Sequence, residues 1–394
     1  MTKLLIEQVK EHVISGILPF WSKLRDNENG GYYGLVDFNL NIDKTAPKGV
    51  ILHSRILWFF ANAYLMFGKK EYLEDARHAY EYIKNYCYDK VNGGVFWSTS
   101  YQGEVLDSTK HTYNMAFAIY ALSSYYDASK EEEAIKLADE IYHVIEEKCC
   151  DSVGYLEAFD LKFQPVENDK LSENGVIAEK TMNTLLHVFE AYTEFYRVTK
   201  REEIKSRLEW MLDTFADKVF NPELNRQEVF FDKDMNSILD LHSYGHDIET
   251  AWLIDRGCEV LGERKYIEKL QPITKKLTQK IYETAYHKNS LWNECDRGEV
   301  DKKRIWWVQA EAVIGFLNGY EKEPQRTEYL NAAKNIWEYI KENVIDKRKN
   351  SEWFYELDNN GVPTENQKEI VGPWKCPYHN GRMCFEIIRR NIDV

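Results

Sequence analysis

Six short segments of this 394-residue chain resemble one another and recur about every 60 to 73 residues. They are GGYYGLVDFNLNID from Gly30, GGVFWSTSYQGEVLD from Gly93, GYLEAFDLKFQPVEN from Gly154, QEVFFDKDMNSILD from Gln227, LWNECDRGEVDKKR from Leu291 and EWFYELDNNGVPTEN from Glu352. Each holds a short aromatic or β-branched run followed by a polar turn, the pattern of a small hairpin. Self-similarity at a fixed period is the signature of a fold built from stacked units.

Between the hairpins lie two blocks with apolar residues at helical spacing. The first block of a pair, such as SRILWFFANAYLMFG, is apolar on nearly every side, so it must be buried. The second, such as KEYLEDARHAYEYIKNYCYD, EEEAIKLADEIYHVIEEK or EYLNAAKNIWEYIKENVID, has one polar face and can meet water. Six such pairs, inner then outer, predict an all-α fold: an (α/α)6 barrel of six inner and six outer helices, with short hairpin loops at the cleft end. The expectation is one catalytic domain over residues 1–394. In such a ring every inner helix starts at the same end, so residues at those starts converge on one cleft.

Six of the ten histidines lie in or just before the first turns of the expected inner helices: His53, His111, His187, His242, His246 and His379. Lone histidines on such helices are ordinarily hydrogen-bonded core residues; six at one end of a repeated unit point to a shared cleft. Around them stand Arg55, Tyr113, Asn114, Asn183, Glu249, Trp252, Trp306, Trp307, Glu311, Trp374 and Arg382. Asn183 and His187 are four apart, as are Trp307 and Glu311, while His246 and Glu249 are three apart, so each pair shares a helix face. A carboxylate one turn from an imidazole can fix its tautomer and raise its basicity. His242 and His246 also have metal-ligand spacing, but no HExxH and no third ligand accompany them, so no metal site is expected.

The net charge of −14 argues against nucleic acid or an anionic membrane as partner. Seven cysteines without a CxxC pair fit a reducing cytoplasm. No secretory signal or uncharged apolar run of about 18 residues is seen, and no phosphate-binding glycine loop. The chain is therefore expected to be cytoplasmic and to need no cofactor. Acidic charge without an exposed apolar stripe points to a monomer.

Tryptophans stack on sugar rings, while Asn, Glu, Tyr and Arg satisfy hydroxyls. Imidazoles move protons near neutrality. Two of them on opposite sides of a carbon next to a carbonyl can epimerise it, with an arginine holding the developing enediolate oxygen.

The motifs LHSR, KTMNTLLHVFEAY, SYGHDIETAW, RIWWVQAEA and GPWKCPYHNGR, in this order along essentially the whole chain, resemble those of the N-acylglucosamine 2-epimerase superfamily, and within it the cellobiose 2-epimerase branch. The resemblance implies a disaccharide substrate whose reducing-end glucose becomes mannose: cellobiose would give glucosylmannose, and lactose epilactose. It implies that His246 and His379 form the acid/base pair at carbon 2. His187 would assist ring opening and Arg55 hold the enediolate oxygen. Tyr113, Asn183 and Glu249 would bind hydroxyls or orient the histidines. Trp307 and Trp374 would contact the sugar rings, and Glu311 would sit on the cleft wall, with Trp252 and Trp306 among the substrate contacts. Aldose–ketose isomerisation shares the enediolate, and a hydrolase of the same barrel would need two carboxylates roughly 5–10 Å apart.

Overall fold

The repeats close into a ring because the two residues ahead of most inner helices pair with the hairpin of the next unit. Lys48–Gly49 pairs antiparallel with Ser98–Thr99, Lys110–His111 with Ala158–Phe159, Lys180–Thr181 with Phe230–Phe231, Leu241–Ser243 with Glu294–Asp296, and Arg304–Ile305 with Glu356–Leu357. A single bridge between Val36 and Val371 joins the last unit to the first. The computed structural model describes residues 2–171 and 175–392.

The inner helices are α3 (Val50–Phe67), α5 (Thr112–Ser129), α7 (Met182–Thr199), α9 (Tyr244–Leu261), α11 (Trp306–Lys322) and α13 (His379–Arg390). Each packs on the next, and α13 returns to α3. The outer helices begin with α1 (Thr2–His12) and α2 (Leu18–Ser22), joined through a π turn at Val13–Ile17 into one rod. They continue as α4 (Lys70–Tyr82), α6 (Glu132–Val144), α8 (Glu202–Thr214), α10 (Arg264–Thr284) and α12 (Thr327–Tyr339). The expected (α/α)6 barrel is thus present, with one correction to its phase. The chain opens on an outer helix, and that helix packs against α13. The first and last helices therefore make the sixth pair.

Helix α3 is long and apolar enough by length and composition to cross a membrane, but most of it is buried inside the barrel. It also carries His53 and Arg55. Its closed apolar surface is what an inner helix needs, since neighbours cover every side.

A cation two residues ahead of an inner helix locks several repeats. Lys48 reaches Asp26 at 2.8 Å, Lys110 reaches Asp89 at 2.9 Å and Lys180 reaches Asp151 at 2.7 Å. Each aspartate also accepts backbone N–H groups in its own loop. The charge of a buried lysine is thereby matched where α3, α5 and α7 start.

Candidate active site

The inner-helix starts surround a cavity of about 150 Å³ lined by Arg55, Tyr113, Asn183, His187, His246, Glu249, Trp306, Trp307, Trp374 and His379. Three of the six singled-out histidines face it. The other three do not, for reasons set by their neighbours. His53 accepts the Tyr32 N–H at Nε2 and bonds the Gly49 carbonyl at Nδ1, so both nitrogens serve the backbone. His242 bonds Asp247 at 2.8 Å, which also separates it from any metal pairing with His246. His111 packs its ring on Trp97 with centroids 4.6 Å apart. Asn114 donates to the Phe96 carbonyl.

Each cavity histidine has its own Nδ1 partner. His187 donates to Glu190 at 2.9 Å and His379 to Glu311 at 2.7 Å, while His246 meets the Ser243 hydroxyl at 2.7 Å. An ionised carboxylate only accepts, so it keeps the proton on Nδ1 and leaves Nε2 as the bare nitrogen available to the cavity. A hydroxyl either gives or takes, so His246 is free to exchange tautomers. Burial, with His187 adding to it, lowers the pKa of His246 to about 3. Burial first and Arg382 second lower that of His379. Both rings rest neutral near pH 7.

Trp307 neighbours both rings. Its ring lies 4.8 Å from that of His246 and 5.4 Å from that of His379, which bounds the imidazole separation at the sum of the two. The approach depends on Gly245, where a Cβ would meet the Trp307 ring at 2.5 Å. Trp306 is buried and meets His379 edge-on at 5.4 Å. Trp374 is half-buried and packs near Trp97 and Tyr113. Arg55 donates to the Tyr113 hydroxyl at 2.8 Å, and its guanidinium lies 4.2 Å from the Phe117 centroid. Two buried acceptors on the lining, Asn183 Oδ1 and Glu249 Oε2, have no hydrogen-bond partner among the described residues.

Three expectations are corrected. Glu249 does not orient His246: its Oε1 is taken by the Arg382 guanidinium, contributed by the far end of the chain. Glu311 does not line the cavity; it sits behind His379, which it holds together with Arg382 and the Trp252 indole N–H. Trp252 is likewise absent from the lining, because that bond to Glu311 and the Arg382 guanidinium over its ring hold it behind the site. Arg382 also bonds Glu190 at 2.5 Å, so one buried guanidinium serves three carboxylates.

That imbalance shows in their acidities. Burial, then the Glu311 charge, raises Glu249 to about 7. Burial also pushes Glu190 up, but Arg382 and the His187 and Tyr378 bonds hold it at about 2. Glu249, Glu311 and His379 bring potential metal-ligand atoms within 4.8 Å of one another. The Arg382 guanidinium, bonded to both carboxylates, supplies the positive charge there.

Sequence reasoning missed Glu190 and Ser243. Both sit three residues from the histidine they serve, the spacing applied instead to His246 and Glu249. Lys170, Glu294 and Tyr355 also line the cavity and were not singled out.

A family model for N-acylglucosamine 2-epimerase matches residues 30–380. The chain belongs to the N-acylglucosamine 2-epimerase family. It is 49% identical to a cellobiose 2-epimerase of Ruminococcus albus, over 99% of this chain and all of that one. It is 46% identical to a cellobiose 2-epimerase of Eubacterium cellulosolvens, over 98% and 99% of the two chains. The solved structure of cellobiose 2-epimerase from Bacillus thermoamylovorans B4167 superposes with a TM-score of 0.94 at 42% identity, covering 98% of this chain and all of that one. The chain is therefore an epimerase, of the isomerase class, built on the family's helical barrel.

Proposed function

We propose that the barrel, as one catalytic unit, inverts carbon 2 of the reducing-end glucose of β-1,4-linked disaccharides, turning cellobiose into glucosylmannose and lactose into epilactose. The observation that carries this is the pair of neutral imidazoles, His246 and His379, each held at Nδ1 and both beside the same indole. Trp307 and Trp374 offer apolar faces to the sugar rings. Asn183 Oδ1 and Glu249 Oε2, buried without donors, accept hydroxyl protons.

The chemistry begins with ring opening, in which Nε2 of His187 takes the proton of the carbon 1 hydroxyl as the bond from carbon 1 to the ring oxygen breaks, and passes that proton to the freed ring oxygen. The freed carbonyl acidifies the hydrogen on carbon 2. One imidazole removes that proton, the electron pair moves into the carbon 1–carbon 2 bond, and the carbonyl oxygen becomes an enediolate oxygen beside Arg55. The opposite imidazole takes a proton from solvent and delivers it to the other face of carbon 2, while the first imidazole releases the proton it removed to solvent. Each general acid or base of this kind contributes roughly 10²–10⁴-fold. Arg55 is suited to the oxyanion because its charge is permanent and its guanidinium is already fixed by Tyr113.

Hydrolysis fits the carboxylates poorly. Glu249 and Glu311 face one another across Arg382, so no glycosidic bond can lie between them. Chromatography of cellobiose incubated with the protein tests the reading. An intact disaccharide with a mannose reducing end is expected; released glucose contradicts it.

A further inference from the structure

The C-terminal motif contains two residues that the reaction above leaves unused, Lys375 and Asn380, and both are fully buried. They converge on Glu352, whose side chain is also fully buried. The Lys375 ammonium donates to Oε2 and the Asn380 amide donates to Oε1. The Trp353 N–H adds a bond to Oε2 at 2.7 Å, and the Trp21 indole N–H reaches Oε1 at 3.4 Å from α2. A carboxylate offers about four acceptor positions, so these donors fill it.

The donors matter because of where they sit in the chain. Lys375 follows Trp374, and Asn380 follows His379. Lys375 also lies 4.3 Å from the Trp306 ring centroid, and Trp306 packs edge-on against His379. The site departs from its own repeat here. In three other units the latching acid is a loop aspartate, whereas the sixth unit's Asp346 is occupied by Arg348 and Ser351. Lys375 turns to Glu352 instead, through Oε2, and the other oxygen, Oε1, accepts from Asn380 and Trp21. The change falls on the repeat that carries His379.

We infer that Glu352 is a positioning residue, setting the attitude of His379 and Trp374 over the substrate and tying it to the N-terminal helix. This rests on the epimerisation proposed above. Glu352→Gln keeps the volume but turns an N–H₂ group toward donors that need an acceptor. The test measures, in heavy water and from both epimers, deuterium entry at carbon 2 and net inversion.

His246 does not depend on Glu352, so exchange on its face of carbon 2 continues in the variant. Inversion needs both histidines and falls by about 10–100-fold, the range for outer partners of a working imidazole. The ratio of exchange to inversion therefore rises. Equal loss of both, or loss of neither, in a protein whose circular dichroism is unchanged overturns the positioning role. Absence of exchange in the parent protein overturns the epimerisation reading and this inference with it. If Glu352→Gln does not fold because Lys375 is left unpaired, Glu352→Gln/Lys375→Met removes both charges and carries the same comparison.

Discussion

Replacing Arg382 with methionine keeps the side-chain stem and removes the charge on which Glu190, Glu249 and Glu311 converge. The guanidinium is 1% exposed and bonds Glu190 at 2.5 Å and Glu311 at 2.6 Å, with Glu249 as a third partner. Removing one partner of a buried ion pair costs about 3–5 kcal/mol, because the other charge stays buried and uncompensated. Here three are left, so the loss at about pH 8 should reach at least that range. The sign of its pH dependence follows from Glu190. In the parent protein its pKa is held at about 2, below the ordinary glutamate value of 4.5, so it stabilises the fold above about pH 4.5 and that stabilisation is lost as the pH falls toward 2. Without Arg382, burial raises it above the unfolded value, and stability is then lost as the pH rises through the new pKa. Urea unfolding followed by tryptophan fluorescence should show a deficit that is large at about pH 8 and smaller at about pH 5.5. A variant as stable as the parent at the higher pH, or one with the larger deficit in acid, refutes the shared-charge argument.

His379→Ala should abolish epimerisation and leave the circular dichroism spectrum unchanged; near-normal turnover in the folded variant removes its assignment. Ser243→Ala takes the hydroxyl from His246 Nδ1 and should lower kcat by about 10–100-fold with KM little changed, measured by initial rates. Lys48→Met leaves Asp26 buried without its cation, which should cost about 3–5 kcal/mol in an unfolding titration while kcat per folded molecule is kept. The buried His12, His53 and His246 have pKa values lowered by burial to about 4, 3 and 3. The unfolded chain then binds more protons below about pH 6.5, so these groups withdraw stability as the pH falls from there toward 4. His12→Gln should flatten that slope; an unchanged slope counts against it.

The barrel was legible because its period is long and its blocks differ plainly in how many faces are apolar. Its phase was not, since an amphipathic first helix does not say which later helix it will meet. Position along an inner helix could be read for all six histidines, but rotation and the approach of other loops could not. His53 is claimed by the Tyr32 and Gly49 backbone, and no helical spacing foretells that. Glu190 could have been found by the same three-residue rule that was applied to Glu249. That rule failed for Glu249 because Arg382 arrives from 133 positions away. The buried lysines two residues ahead of α3, α5 and α7 were also visible, once the loop aspartates are set beside them.

Nuclear magnetic resonance of cellobiose incubated with the protein in heavy water puts the two-imidazole site to the test. The expected spectrum is an uncleaved disaccharide gaining a mannose reducing end, with deuterium on carbon 2. Product that keeps its original hydrogen at that carbon, or cleavage to free glucose, contradicts proton transfer between His246 and His379.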